Sequence, residues 1–320
     1  MTSRRHWIVA LVLSAAAGMA AAQGASTRIV VSFTPGGPVD AVARGVAEQL
    51  GKELGHTVVI DNKPGANGAL GAMEVLRAAP DGRTIWITSV GAAAINPALY
   101  DKLGYDMQRD FAPVSLVVDN VELLVVNTAD PARNAADFVA RAKAASAQPI
   151  AMASSGIGSI PHLAIEQLAD STGARFVHVP YKGAAPAITD LMGGQVGGFF
   201  GDVPGLIGHV KGGKLRAIGI AAPRRHPALP DVPTLEEQGI RGVDSVNWYA
   251  FFVPAKTSPA VIDSLNKAVR AALSHPAVRD RLVASGADPR PTTPQELAAL
   301  LRSDTEKWAR LIKAKSIKAE

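Results

Sequence analysis

Residues 28–40 (RIVVSFTPGGPVD) join a short apolar run to a glycine-rich turn and then to the start of an amphipathic segment. The run at 28–33 is typical of a buried strand. After the turn, Val42, Val46 and Leu50 are spaced as one face of a helix. This strand–turn–helix unit predicts an α/β fold with largely parallel strands, because a helix is the usual connection between parallel neighbours.

The same order recurs along the chain. Further strands are predicted at 57–61, 84–89, 150–154, 175–180, 196–200 and 215–221, and helices at 160–172, 184–192 and through most of 259–317. Two longer extended segments, 114–127 and 246–254, are interpreted as crossovers between two lobes. We therefore expect one discontinuous lobe, formed by 23–120 with 250–320, and a second lobe formed by 121–249.

The amino-acid composition excludes several classes of function. The chain has 320 residues, of which 48% are hydrophobic and 19% charged, so it can bury a substantial core. The absence of cysteine excludes disulfides, zinc–thiolate sites, iron–sulfur clusters and thiol nucleophiles. The net charge of +5 is spread along the chain and aromatics make up only 5%, which argues against nucleic-acid binding. The histidines show no metal-ligand spacing, and we expect no cofactor and no metal.

The N-terminus has the three parts of a secretory signal peptide. A basic start at 4–6 precedes an apolar run at 7–18, and residues 20–22 are all alanine. We expect the signal peptide to span 1–22 and to be cleaved before Gln23, which places the mature protein outside the cytoplasmic membrane. An uncleaved anchor remains an alternative, and both the general secretory and the twin-arginine routes stay open.

The first candidate site is the turn between the opening strand and helix. Gly36 and Gly37 let the backbone approach a ligand, and the first N–H groups of the helix have no partners inside it. Together with the helix dipole they can hold a carboxylate or phosphate. The alternative is a plain turn, in which Asp40 caps the helix or pairs with Arg44.

Two more loops follow strands in the same way. Residues 154–159 (SSGIGS) offer serine hydroxyls and main-chain amides, but Pro161 stands where a dinucleotide-binding motif needs its third glycine. His162 follows this loop and is either a ligand contact or the partner of a structural hydrogen bond. Residues 89–97 (SVGAAAINP) are predicted to form a third loop, whose small side chains leave room for a ligand. An anion-receiving loop in each lobe suggests a clamp.

Asp202 ends a glycine-containing strand, where it either accepts a hydrogen bond from a ligand ammonium or hydroxyl, or caps the helix at 203–211. No nucleophile elbow, zinc-protease motif or phosphate-binding Walker loop is present. We predict no catalytic residues. The alternative is an exported α/β hydrolase, for which Ser159 with His162 is the one pair worth testing.

The order of short motifs over nearly the whole mature chain resembles the substrate-binding proteins of the tripartite tricarboxylate transporter family, the Bug or TctC-like receptors. The motifs that carry the resemblance are Pro35-Gly36-Gly37 with Asp40 and Ala43-Arg44, Asn62-Lys63-Pro64-Gly65-Ala66 with Gly68, Pro80-Asp81-Gly82 with Thr84, Asn96-Pro97 with Leu99, Gly158-Ser159 with His162-Leu163, Val179-Pro180-Tyr181-Lys182-Gly183 with Pro186-Ala187, Asp190-Leu191 and Gly193-Gly194, Leu229-Pro230-Asp231-Val232-Pro233-Thr234, and Trp248 with Pro254-Ala255. The block that begins at Val179 is the most specific of them.

The resemblance implies a periplasmic protein with the two-lobed Venus-flytrap fold, similar to type II binding proteins. It implies capture of a small carboxylated solute, such as an amino acid, a di- or tricarboxylate or an aromatic acid, by main-chain amides, hydroxyls and ordered water. It also implies a membrane partner, either the membrane subunits of a tripartite tricarboxylate transporter or a sensor kinase. A monomer suits such a hinged carrier.

Carried over by motif, the ligand-facing positions are Phe33, Gly36, Gly37, Asp40, Ser89, Asn96, Ser155, Gly158, Ser159 and Asp202. The three loops add Thr34, Ala93, Ser154 and His162 as candidates. Thr34 departs from the family, which more often has a Pro-Phe-Pro-Pro-like run here, and adds a hydroxyl donor.

Overall fold

The computed structural model describes residues 26–144 and 148–318. The predicted signal peptide at 1–22 and its cleavage site before Gln23 lie outside the described residues, so both stay predictions. Within the described ranges, no helix reaches the combination of length and apolarity that a membrane span requires.

Strands and helices alternate through most of the chain, and the C-terminal part is helical. The strands are β1 (Ser26–Val31), β2 (Thr57–Asn62), β3 (Thr84–Ser89), β4 (Phe111–Asn127), β5 (Ile150–Ser154), β6 (Phe176–Pro180), β7 (Gly198–Asp202), β8 (Leu215–Ile220), β9 (Val246–Pro254) and β10 (Asp288–Pro289). The helices are α1 (Pro38–Leu54), α2 (Ala69–Leu76), α3 (Asn96–Leu99), α4 (Met107–Asp110), α5 (Ala135–Lys143), α6 (Ile160–Thr172), α7 (Ala184–Met192), α8 (Val203–Lys211), α9 (Pro259–Ser274), α10 (Pro276–Ser285) and α11 (Pro294–Lys315).

One long strand joins two sheets into a continuous curled surface. The strand order is β2-β1-β3-β9-β4-β7-β5-β6, with β8 and β10 also paired to β4. The first part of β4 pairs with β9, and its last part, from Glu122 onward, pairs with β7 and β8. The β1–β2, β1–β3, β5–β6 and β5–β7 pairs are parallel. The fold is therefore α/β with two lobes, as the sequence predicts.

Each sheet is covered on both faces, which explains why its strands are nearly continuous apolar runs. Helices α1, α9 and α10 pack on one face of the first sheet, and α2 and α11 on the other. In the second sheet α5 and α6 cover one face, and α7 and α8 the other. Ile160 and Leu163 of α6 also join the core of the first sheet, so the lobes are in contact there.

Both predicted crossovers are strands, β4 and β9, and the predicted helical C-terminus is α9 to α11. β9 pairs within the first sheet, and among the strands in the described part of the chain only β4 belongs to both sheets. The assignment of residues to lobes, with boundaries near 120 and 249, stays a prediction.

The predicted third loop is wrong. After β3 ends at Ser89, residues 91–95 form a π-helical turn that leads directly into α3. The three alanines at 92–94 are fully buried in the core that α2 and α11 form on one face of the first sheet. Alanine has the highest helix propensity, and its small side chain packs helix against sheet, so these residues form a helix where loop composition suggested open space.

Gly71 illustrates how closely α2 approaches the residue that follows β1, Ser32. A Cβ at this position would lie 3.1 Å from the main-chain Cα of Ser32, whose hydroxyl accepts a hydrogen bond from Trp86 Nε1. We predict that Gly71→Ala lowers the free energy of unfolding by about 1–3 kcal/mol, because the helix must shift away from the strand. Denaturant unfolding followed by tryptophan fluorescence measures this loss.

The matched control is Gly208→Ala on α8, where a Cβ meets nothing within 4 Å. This variant should gain about 0.5–1 kcal/mol, because alanine loses less backbone entropy than glycine in a helix. Equal effects of the two substitutions would contradict the packing described for α2.

Candidate functional site

A small cavity lies between the two sheets, at the carboxyl ends of β1, β3, β5 and β7. This is where open α/β sheets present their ligand sites. Its volume is about 20 Å³, which is room for about one water molecule. The lining residues are Phe33, Gly37, Pro38, Val39, Ser89, Ser155, Pro161, Ala184, Phe199, Gly201, Asp202, Asn247 and Tyr249.

Four helices begin at this cavity. Gly37 caps α1, Ser159 caps α6, Gly183 caps α7 and Asp202 caps α8, and each helix places a residue of its cap or first turn on the cavity wall. The N–H groups of a first turn have no acceptor within the helix, and the positive end of the dipole adds to them. Among the described residues that line the cavity, none is Lys, Arg or His. The positive potential for an anion therefore comes from the main chain.

The Asp40 carboxylate holds the first loop in shape. It accepts hydrogen bonds from the Gly36 N–H at 2.9 Å, from Arg44 Nε at 2.8 Å and from Asn62 Nδ2 at 2.9 Å. Burial by itself would raise the pKa of Asp40, but these donors lower it below its usual value. The expected pairing with Arg44 is confirmed. Asp40 is buried behind the cavity wall, so it stabilises the loop and does not line the cavity.

Thr34 lies at the contact between the lobes. A Cβ on Gly183 would approach Thr34 Oγ1 to 2.6 Å, and the φ of +132° at Gly183 is a second reason for glycine there. The Thr34 hydroxyl is buried and finds no partner among the described residues. The threonine therefore packs against the start of α7 beside the cavity.

In the second loop, residues 154–159, the hydroxyls of Ser154 and Ser159 form hydrogen bonds to neighbouring protein groups. Ser159 Oγ donates to the Gly156 carbonyl at 2.6 Å and accepts from the main-chain N–H of His162 at 3.4 Å, as an N-cap does. Ser154 Oγ lies 2.6 Å from His178 Nε2. Ser155 is the serine of this loop that lines the cavity.

His162 forms a structural hydrogen bond. Its Nδ1 accepts from the Gly158 N–H at 3.1 Å, and its ring stacks on His178 with centroids 3.8 Å apart. Burial, and then the neighbouring His178, lower the pKa of His162 to about 3. The ring is therefore neutral at physiological pH, and neither ring nitrogen contacts the Ser159 hydroxyl.

A cluster of buried acids and their partners forms one wall. Asp202 accepts two hydrogen bonds from Asn247 Nδ2, at 3.0 and 3.1 Å, and one from the Tyr249 hydroxyl. Its side chain makes no cap bond to α8, so the expected capping role is limited to the main chain. Glu122 on β4 lies directly opposite Asp202 in the β4–β7 pair. Burial raises the pKa of Asp202 to about 6.

The structure brings five of the predicted residues together at the cavity: Phe33, Gly37, Ser89, Ser155 and Asp202. The others do not line it. They support the loops or the core around it: Thr34, Gly36, Asp40, Ala93, Asn96, Ser154, Gly158, Ser159 and His162. Asn96, for example, is fully buried, and its Nδ2 donates to the Asn67 carbonyl at 3.2 Å.

Several cavity residues were not singled out from the sequence. Asn247 and Tyr249 lie on β9, which is interpreted from the sequence only as a crossover between lobes. A second pocket borders the first and shares Phe33 and Ser155 with it. Residues 65–68 line that pocket, and all four have positive φ angles. The asparagine and glycines at 65–68 could have indicated this turn in the sequence, because these residue types tolerate positive φ angles.

Within residues 26–144 and 148–318, no group of three or more histidine or acidic side chains is arranged to hold a metal ion. The Asp202 cluster contains two carboxyls, an amide and a phenol, and its donors already point at the Asp202 oxygens.

Comparison with known proteins assigns the chain to a family. The model of the tripartite tricarboxylate transporter family receptor matches residues 42–317. BugT of Bordetella pertussis is 33% identical over 320 residues, covering 98% of each chain.

Two solved structures extend the match. The periplasmic binding protein BugD has a TM-score of 0.87 and 33% identity, covering 92% of this chain and 99% of its own. MatC of Rhodopseudomonas palustris with bound malate has a TM-score of 0.84 and 33% identity, covering 90% and 99%. The chain belongs to the tripartite tricarboxylate transporter receptor family.

Proposed function

We propose that this protein is a periplasmic receptor that closes on a small carboxylated metabolite, leaves it chemically unchanged, and presents it to the membrane components of a tripartite tricarboxylate transporter. The observation that carries the proposal is the convergence of four helix N-termini on one cavity between two sheets. Family membership and the malate bound by MatC support the same ligand class.

The energetics of such a site are adequate without a basic side chain. A helix N-terminus contributes about 0.3–1 kcal/mol toward an anion, and up to about 2 when partly buried. Charge-assisted hydrogen bonds from main-chain N–H groups add about 1.5–3 kcal/mol each. Micromolar affinity needs about 8 kcal/mol net. Several amides acting together reach this value after the costs of ordering the ligand and closing the lobes.

Each wall of the cavity has a proposed role. The main-chain amides after β1 and β5, at Val39 and Ser155, receive the ligand carboxylate. Ser89 and Phe33 pack against its carbon chain, and Asp202 accepts a hydrogen bond from a polar group at the other end. The remaining predicted positions act indirectly, by holding these loops.

The exported-hydrolase alternative has less support. A serine nucleophile needs a base within hydrogen-bond reach of its hydroxyl. Here Ser159 Oγ donates to the Gly156 carbonyl, and His162 Nδ1 is occupied by the Gly158 N–H. We further propose that the signal peptide is removed before Gln23 and that the mature receptor is a monomer. A sensor kinase is the alternative partner for the same closed complex.

Ligand-induced stabilisation tests the proposal. Purified protein is screened by thermal shift against amino acids, dicarboxylates, tricarboxylates and aromatic acids, after mass spectrometry of denatured protein has excluded a copurified ligand. At least one carboxylate should raise the melting temperature in proportion to the logarithm of its concentration, because it binds only the folded state. Matched alcohols or amides should not. No shift with any carboxylate would contradict the proposal.

Gly37→Val tests the placement of the carboxylate. A Cβ at Gly37 lies 3.3 Å from the Thr34 carbonyl, so the turn must shift by a few tenths of an ångström, and the valine methyls would occupy the approach to the first-turn amides. We expect affinity to fall by about 2 kcal/mol, roughly thirtyfold in Kd, with a much smaller relative loss of stability. Isothermal titration calorimetry measures the loss. Gly208→Val, at an exposed position of α8, is the matched control, and equal affinity in both variants would refute this placement.

A further inference from the structure

Glu122 is a buried acid that the proposed binding mode does not use. It lies on β4 at the first position that pairs with β7, and its side chain is completely inaccessible to solvent. Residues that face each other across antiparallel strands project from the same side of the sheet, so Glu122 and Asp202 lie side by side. Asn120, two residues earlier on the same face of β4, is also buried.

Both carboxyl oxygens of Glu122 are shielded from solvent and accept no hydrogen bond from a donor among the described residues. Both polar atoms of the Asn120 side chain are also shielded and have no partner there. The groups that face Glu122 are Asp202 from β7, and Asn247 and Tyr249 from β9. On its other side lie Ile220, the last residue of β8, and Ala221, whose N–H donates to the Glu122 carbonyl. The titratable residues of α8, His209 and Lys211, lie at the far end of that helix.

An ionised carboxylate in this position would have no counter-charge. Burying an unpaired charge costs far more than protonating the group at neutral pH. Burial, and then the adjacent charge of Asp202, raise the pKa of Glu122 well above its usual value. Asp202, in contrast, has the Asn247 and Tyr249 donors directed at its oxygens, and these favour its ionised form.

The same hydrogen bonds join the two sheets. Asp202 ends β7 of the second sheet, whereas Asn247 and Tyr249 belong to β9 of the first sheet. Glu122 sits on β4, which belongs to both sheets. Its protonation state therefore sets the charge at the boundary between the lobes, next to the cavity wall.

We propose that Glu122 is an uncharged carboxylic acid at neutral pH whose O–H donates a hydrogen bond to Asp202, so that the pair presents a single negative charge to the cavity. Glu122 is thus a positioning residue, and it makes Asp202 a hydrogen-bond acceptor only. This step rests on the proposed function: a carboxylated ligand that also carries a hydroxyl or ammonium group satisfies Asp202, and one without such a donor does not.

Unfolding as a function of pH tests the charge of Glu122 without any ligand. A native acid with a raised pKa keeps its proton while the unfolded chain, with a glutamate pKa of about 4.3, releases it, so stability falls as pH rises. Glu122→Gln keeps the shape and a donor and removes this effect. We expect the ratio of the wild-type unfolding constant to that of Glu122→Gln to widen by about tenfold per pH unit above pH 5. Glu53→Gln, an exposed change on α1, should show no such widening.

A ratio that stays constant or narrows with rising pH would mean that Glu122 is ionised and would overturn the proposal. Infrared spectroscopy supplies a second measurement that needs no substitution. Wild-type protein carrying ¹³C-carboxyl glutamate should show the isotope-shifted carbonyl band of a protonated acid at pH 7. Absence of that band also overturns the proposal, even where Glu122→Gln fails to fold.

Ligand preference at Asp202 is tested with malate and succinate, which differ by one hydroxyl. We expect malate to bind at least tenfold more tightly to the wild type, and Asp202→Asn to remove most of that preference. Equal binding of the two acids by the wild type would overturn the selection. If neither these acids nor any other carboxylate binds, the proposed function fails, whereas the unfolding and infrared results still decide the state of Glu122.

Discussion

The structure depends on the length of β4. Seventeen residues of continuous strand pair first with β9 and then with β7 and β8, so one stretch of backbone belongs to both sheets. A shared strand fixes how the carboxyl ends of β1 and β3 face those of β5 and β7. The cavity lies at that junction, and the loops on either side reach it because their strands end there.

The second feature is how charge is distributed around the cavity. The positive potential is supplied by main-chain N–H groups at the starts of four helices, and the negative side chain on the wall is Asp202. Fixed main-chain dipoles need no reorganisation when an anion arrives, and they do not form an ion pair that must break when the ligand leaves. A site of this kind distinguishes ligands by shape and by the donor they present to Asp202.

Much of this was predictable from local patterns, because several apolar runs of strand length precede a turn and a helical period, as at 28–40. The helical turn in place of the predicted third loop could not be predicted in this way. Alanine occurs in both loops and helices, and at 92–94 only burial against the sheet favours the helix. Asp40 pairs with Arg44 through an i, i+4 spacing that the sequence does show. That spacing could not tell whether its carboxylate would also face a ligand.

Glu122 is the clearest limit of prediction from sequence. It stands within VDNVELLVV, where alternation would place an acid on a solvent-facing side of the strand. Its neighbour Asp202 is 80 residues away, and they meet only through the register of β4 with β7. Pairing between distant strands depends on the packing of whole sheets, so no local pattern indicates this contact.

The account is tested most directly by a crystal structure with the bound acid, at a resolution that defines its contacts. Its carboxylate oxygens should accept hydrogen bonds from main-chain N–H groups at the starts of α1 and α6, within 3.2 Å as such bonds require. A carboxylate held by a lysine or arginine side chain, or seated outside the junction of the two sheets, would contradict it.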